Sequence, residues 1–239
     1  MAKLEAYDKT LDYSYAPGIF PATECLKNAK KRCMRLLVSS NGLQSEGVQA
    51  LEKAAQEADI RVEVADRALE RISKKENCFA AMVYKKAEGR FDEDSPHIVL
   101  HHPSDSGNLG TVLRTALGFG LKNIAIIRPA VDSDDPRVVR ASMGAAFRAV
   151  PVSMTREAAV ASCRANGVRL LATALRADAH DLREEALSQT AVIIGSEGQG
   201  VCRELLDAAD GTVIIPMQSH CESLNAAVAA TIVMWQMRR

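Results

Sequence analysis

From Met34 onward the chain alternates short apolar runs with longer stretches in which apolar positions recur every three or four residues. "MRLLVSS" reads as a strand, and "EGVQALEKAAQEAD" as an amphipathic helix with Val48, Leu51 and Ala55 on one face. "RVEVA" is a short strand, "DRALERIS" a short helix with Asp66 as its N-cap, and "CFAAMVYK" a further strand. The charged stretch "AEGRFDEDSP", residues 87–96, ends in proline and interrupts the pattern. Beyond it, strand "HIVLHH" leads to helix "GNLGTVLRTALGFG", and strand "NIAIIRP" to a helix near "PRVVRASMG". Helix "TREAAVASCRANG", strands "VRLLATAL" and "AVIIGSE", a helix near "CRELLDAA", strand "TVIIPM" and a last helix follow. The pattern predicts two α/β units, residues 1–95 and 96–239, the second built on a parallel, Rossmann-like sheet.

In open parallel sheets, ligands sit at the carboxyl ends of strands. Three such ends carry polar groups. In "HPSDSGNLGTVLRTALGFG", Leu109, Val112, Leu113, Ala116, Leu117 and Leu121 form a core face. Gly110, Arg114 and Gly118 fall on another line, four residues apart. A glycine costs about 1 kcal/mol in a helix interior. Two of them flanking an arginine fit either close helix packing beside a solvated arginine or a ligand meeting backbone next to a guanidinium. Ser106 and Asn108 fit N-caps, and Gly107 and Asn108 fit an anion-binding helix start.

The second end, "VIIGSEGQGV", runs a buried strand into Gly195, Gly198 and Gly200 in an order that is neither the dinucleotide fingerprint nor a P-loop. Glu197 is a carboxylate held between glycines; a plain turn with a surface acid is the simpler alternative. The third, "VIIPMQSHCESLNAAVAATI", takes a strand to Ile215 and Pro216, then opens the last helix with Ser223, Leu224 and Asn225. A single capping residue, Ser223, would explain one of these polar groups but not the set.

Bulk properties narrow the class without choosing a function. The formal net charge is zero, so any nucleic-acid surface must be a local patch. Six scattered cysteines form no CxxC pair and no zinc spacing, which points to free thiols, a reducing cytoplasm and no metal site. The opening "MAKLEAYDKTLDYSY" is polar, unlike a signal peptide, and no apolar run approaches the roughly 18 residues of a membrane span.

Taken together, "GNLGTVLRTA", "GSEGQG" and "IPMQSHCESLNAAVAATI" resemble the three signature motifs of the SpoU/TrmH family of the SPOUT methyltransferases, in order and at family-like spacing over residues 96–239. "SYAPGIFPATECL" and "LERISKKENCFAAMV" are similar, more loosely, to the RNA substrate-binding domain of ribosomal-protein-like fold often fused in front of it, with Ala80 or Ala81 where a glycine is common. The resemblance implies S-adenosylmethionine-dependent 2'-O-methylation of a ribose in rRNA or tRNA, a C-terminal trefoil knot, and a homodimer with active sites by the subunit interface. It implies a catalytic set of Arg114, Asn108, Glu197, Ser223 and Asn225. It also implies a cofactor pocket lined by Thr173, Gly195, Ile215, Met217 and Leu224. Where the family usually has glycine, this chain has Ser219; if that position needs positive φ, serine costs about 1 kcal/mol or more.

RNA capture is expected at Lys27, Lys30, Lys31, Arg32 and Arg35 in the first unit, with Arg128, Arg137, Arg140 and Arg148 adding to the second. Two other classes compete. A catalytically silent RNA-binding protein would keep the fold but need not keep Arg114, Glu197, Ser223 and Asn225. An NAD-dependent oxidoreductase would need a GxGxxG after the first strand of either half, which is missing.

Overall fold

A computed structural model of the chain describes residues 4–73, 78–90, 97–196, 198–218 and 223–239. Two compact units emerge, one made of residues 1–87 with 132–148, the other of 88–131 with 149–239.

The first unit opens with β1 (Tyr13–Pro17), α1 (Ile19–Asn28), β2 (Cys33–Val38), α2 (Glu46–Glu57), β3 (Arg61–Val64), α3 (Asp66–Ser73) and β4 (Ala80–Lys85). Its sheet runs β1-β4-β2-β3, with β4 antiparallel to both neighbours and β2 parallel to β3. Period-two alternation splits the strands between two cores. Ala16, Leu36, Val38, Ala80 and Met82 meet Ala22, Leu26, Val48 and Leu51 from α1 and α2. Tyr15, Leu37, Ala81 and Val83 meet Leu69 and Ile72 of α3. Burial on both faces is why β2 and β4 read as continuous apolar runs.

β1 and α1 were not expected from periodicity. β1 is five residues long, and α1 carries Pro21 in its first turn, tolerated there because that N–H has no helical partner. Asp66 does not cap α3 as expected. It is the first residue of the helix, and its carboxylate accepts from Ser39 Oγ and Ser40 N, both at 2.9 Å.

The second unit continues with β5 (His97–His101), α4 (Ser106–Gly118) and β6 (Asn123–Ile127). After α5 (Pro136–Ala141), which belongs to the first unit, come β7 (Val152–Met154), α6 (Arg156–Ala165), β8 (Arg169–Thr173), β9 (His180–Asp181), β10 (Thr190–Ile194), α7 (Arg203–Ala208), β11 (Gly211–Ile214) and α8 (Ala226–Gln236). The seven strands are all parallel, in the order β7-β6-β5-β10-β8-β11-β9. β7 and β9 are additions to the expected list; each is too short to carry a periodic signal. One face packs Val99, Ala125, Ile127, Leu170, Ala172 and Ile193 against Ala159 and Cys163 of α6 and Leu205 of α7. On the opposite face α8 packs on β10 and on α4. Strand order reverses between β5 and β10, so this pair marks the topological switch point, where crevices form.

Residues 132–148 depart from the expected division. They lie between β6 and β7 in sequence, yet pack into the first unit. Tyr7 Oη and Lys86 Nζ donate to Asp132 at 2.6 and 2.9 Å, and Tyr84 Oη donates to Asp134 at 2.9 Å. Phe147 meets the Tyr84 ring edge-on at 4.9 Å. Gly144 adopts φ 76°, and a Cβ there would lie 2.5 Å from Glu24 Cβ. Arg137, Arg140 and Arg148, read as part of the second unit, therefore belong to the first.

Candidate functional site

The carboxyl ends of β8, β10 and β11 open into a cleft of about 440 Å³. Thr173, Gly195, Ile215, Met217 and Leu224, the five residues expected around a cofactor, all line it, as does Ser223. Thr173 Oγ1 donates to the Ile193 carbonyl at 2.9 Å, which pins the end of β8 to β10. Leu175, Gln199 and Leu206 also line the cleft and were not anticipated. Gln199 stands inside the second motif, Leu175 just beyond β8 and Leu206 on α7; neither of the two leucines lies in a motif.

Gly195 shows why the second motif needs glycine. A Cβ there would lie 2.2 Å from the Gly200 carbonyl carbon and 2.5 Å from Val201 N. The loop folds back on itself, with Gly200 N donating to the Ser196 carbonyl at 2.9 Å and Gly200 at φ 64°. Glu197, between them, lies outside the described residues, as do Ser219, His220 and Cys221.

Asn225 has two jobs. Its Oδ1 accepts from Ala227 N at 2.9 Å and Val228 N at 3.3 Å, so it, not Ser223, is the N-cap of α8. Its Nδ2 donates to Asn108 Oδ1 at 3.1 Å. Asn108 sits in the first turn of α4, whose cap is Asp105 rather than Ser106 or Asn108; Asp105 Oδ1 accepts from Asn108 N at 2.7 Å. The structure thus brings Asn108 and Asn225 together, 117 positions apart in sequence, with Ser223 in the adjoining cleft.

Arg114 is not part of this arrangement. It is exposed on α4, six residues or about 9 Å along the axis from Asn108. It lines neither cavity and makes no hydrogen bond or ion pair with another described residue. Gly118 faces open space, so the line of Gly110, Arg114 and Gly118 does not reflect crowding at its far end.

A second, smaller cavity of about 30 Å³ lies at the switch point between β5 and β10. His101, Ser104, Asp105, Asn108 and Ser196 supply its polar wall. It shares Ile194, Gly195, Ser196 and Ala226 with the larger cleft. His101 is 3% exposed. Its Nδ1 lies 3.1 Å from the Gly200 carbonyl oxygen, and its ring stacks on His102 at 3.9 Å. Burial pushes the His101 imidazole below its ordinary value, aided by His102 and Arg156. Neither His101 nor Asp105 was singled out in the sequence, although both stand in "HHPSD" directly after a strand.

The basic residues of the first unit divide into two groups. Lys27, Lys30 and Lys31 are exposed around the end of α1, and Arg140 is half-buried on α5. Arg32 and Arg35, expected to meet RNA, are engaged internally. Arg32 Nε donates to the Lys85 carbonyl at 2.8 Å, its guanidinium lies 5.2 Å from the Tyr84 ring centroid, and it pairs with Asp134 at 3.5 Å. Arg35 pairs with Glu63 at 3.5 Å. Both arginines are short of exposed surface because each closes a gap over a buried tyrosine or a carboxylate. Among the described residues, no cluster could hold a metal ion and no helix is long and apolar enough to cross a membrane.

Comparison with known proteins agrees with this geometry. The model of the SpoU rRNA Methylase family matches residues 95–235. A 23S rRNA (guanosine(2553)-2'-O)-methyltransferase of Bacillus subtilis is 34% identical over 134 residues, covering 56% of this chain and 54% of that one. An uncharacterised tRNA/rRNA methyltransferase of Synechocystis sp. is 33% identical over 144 residues, covering 59% and 52%. This chain therefore spans about half the length of the curated relatives it matches. Among solved structures, the AdoMet-bound rRNA methyltransferase of Sinorhizobium meliloti aligns with a TM-score of 0.81 at 24% identity, over 95% of this chain and 87% of that one. The SpoU methyltransferase AviRb of Streptomyces viridochromogenes aligns at 0.80 and 23% identity, over 95% and 89%. At these identities the structural likeness speaks for the fold.

Proposed function

The chain belongs to the SpoU rRNA methylase family, and from that premise we propose that it transfers a methyl group from S-adenosylmethionine to the 2'-hydroxyl of a ribose in rRNA or tRNA. The observation that carries this reading is the Asn225–Asn108 hydrogen bond, which joins the third motif to the first beside two cavities that share four lining residues.

The larger cleft fits the methyl donor. Its volume lies in the usual range for small-molecule pockets. Ile194, Val213, Ile215 and Leu224 offer an apolar wall, and the glycine loop offers bare backbone. When bound, S-adenosylmethionine supplies a sulfonium methyl group. Thr173, Gly195, Ile215, Met217 and Leu224 are its proposed contacts. Asn108, Ser223 and Asn225 are proposed to orient the ribose, which alone contributes several kcal/mol by alignment.

A guanidinium is a donor and a cation rather than a base, so Arg114 is proposed to stabilise charge developing on the ribose oxygen. Because it is exposed away from its own chain's cavities, we assign its action to the interface between two copies. Glu197 is its proposed orienting partner. The exposed apolar edge of α8, with Val228 48% and Trp235 61% exposed, supports the homodimer. The return of α8 from β11 past β8 to β10 and α4 supports a trefoil knot. The first unit, with Lys27, Lys30, Lys31 and Arg140 on its surface, is the proposed RNA-capturing, ribosomal-protein-like domain, and the cytoplasm the proposed location.

Calorimetric titration with S-adenosylmethionine tests the cleft. Binding is expected for the wild type and lost in Leu224→Asp and Gly195→Asp. Absence of binding with or without RNA, in protein shown to be folded, would overturn the proposal.

A further inference from the structure

α1 packs into the first unit through Pro21, Ala22, Cys25 and Leu26. Phe20, Glu24 and Lys27 follow one another at spacings of four and three, so they share the opposite face. Phe20 is 51% exposed and Lys27 is exposed. Lys30 and Lys31, also exposed, stand in the turn directly after the helix. Seven residues of helix separate Phe20 from Lys27, about 10 Å along the axis. A single exposed apolar side chain carries no meaning by itself. This one is an aromatic ring on a basic helix face, which is a different matter.

The start of α1 is basic as well. Gly18 caps it without a side-chain acceptor, and its first turn holds no acid. Burial pushes the Cys78 thiol up, while the Gly18 backbone and the Arg140 guanidinium both act to lower it. Arg140 therefore lies near the start of the helix, on the side of Phe20 away from the lysines. Glu24, the acid between Phe20 and Lys27, is half-buried. Asn28 Nδ2 donates to its carboxylate at 3.1 Å, and Gly144 packs against its stem.

A ring flanked by cations fits a nucleic-acid strand with a base turned outward. Bases inside a duplex keep their faces on one another, out of reach of a convex helix. An unstacked base of a loop, bulge or end can lie on a ring while its phosphates meet cations.

We propose that Phe20 is a stacking platform for an unpaired base of the substrate RNA, with Lys27, Lys30 and Lys31 on phosphates to one side of it and Arg140 to the other. This rests on the reading of the first unit as the RNA-capturing domain. The substrate class is thereby narrowed to RNA that presents a loop, bulge or single-stranded end to α1. The platform reads strandedness and not sequence, because every base has a π face.

The test is binding of the full chain to a short unstructured RNA strand of mixed sequence, and to the same strand annealed to its complement, across a range of salt. Phe20→Ala should bind the single strand about 10-fold more weakly at every salt concentration, the effect of removing one base–aromatic stack. Its salt slope should match that of the wild type, because no phosphate contact is lost. Its affinity for the duplex should be unchanged. Phe20→Trp should keep the single-strand affinity, and its emission, read against the single Trp235 of the wild type, should be quenched by the strand. Unchanged single-strand affinity in Phe20→Ala, or an equal loss on the duplex, would overturn the proposal. The parent reading has its own control in the triple variant Lys27→Ala, Lys30→Ala, Lys31→Ala. A triple variant with wild-type affinity and slope would remove RNA capture from this surface, and the platform with it. A triple variant that binds weakly beside an unaffected Phe20→Ala would overturn the platform alone.

Discussion

Asn225 is where a local and a functional requirement meet in one side chain. Its Oδ1 caps α8 and its Nδ2 holds Asn108, so two substitutions separate the roles. Asn225→Asp keeps a strong cap and loses the donor, so thermal stability should hold while methyl transfer falls. Asn225→Ala should lose about 1 kcal/mol of stability as well. Thermal melts beside turnover of both variants check this; equal activity in Asn225→Asp and wild type would remove the bridge from the mechanism. Gly195→Ala drives a methyl group into the Gly200 backbone, and should displace the loop and weaken methyl-donor binding in a titration. The motif residues were legible because glycine and asparagine are the types that such close approach and such capping demand. The contact of His101 with the Gly200 carbonyl was not, because no sequence pattern announces a partner 99 positions away.

At the scale of elements, α8 is apolar on nearly every side, yet only Ala227, Ala230, Val233 and Met234 are buried within the chain. Val228 and Trp235, seven residues apart, lie on an exposed edge, and Trp235 meets Phe119 with ring centroids at 5.8 Å. An exposed apolar edge on α8, which packs against the helix that carries the exposed Arg114, fits a subunit interface. Trp235→Glu should yield a folded monomer by light scattering, with methyl transfer lost alongside the dimer. A wild type that is monomeric at micromolar concentration would refute this. Most helices and the central parallel strands were legible from apolar runs and period. β7 and β9 span too few residues for alternation to register; β1 and α1 are longer, but Ser14, Pro17 and Pro21 interrupt their apolar pattern, and tertiary pairing makes β1 a strand.

At the scale of the whole molecule, the two units divide between Ala87 and Glu88, and nothing in the sequence marks the excursion of residues 132–148 into the first unit. "VDSDDPRVVRASMG" looks like any polar turn and short helix. Its allegiance comes from carboxylates that find partners on distant strands. Asp132 would be raised by burial, but hydrogen bonds from Tyr7 and Lys86 outweigh that and hold it below the usual carboxylate range. Asp134 is raised by burial, with Asp132 adding to it, and Arg32 is its cation. Arg32→Ala leaves that carboxylate under-compensated and should cost about 2–4 kcal/mol by chemical denaturation. Asp134 binds its proton more tightly folded than unfolded, so its ionisation erodes stability as pH rises through the folded value. The loss in Arg32→Ala should therefore be smaller in acid than at pH 8. Neutralising Lys27, Lys30 and Lys31 instead should leave stability alone and flatten the salt dependence of RNA binding.

The most direct test of the whole account is nucleoside mass spectrometry of RNA incubated with the purified protein and S-adenosylmethionine bearing a deuterated methyl group. The account predicts a labelled 2'-O-methylnucleoside, strongly reduced in an Asn225→Asp control run at equal protein and time. Label on a base, or label in neither ribosomal nor transfer RNA from cells lacking the protein, would contradict it.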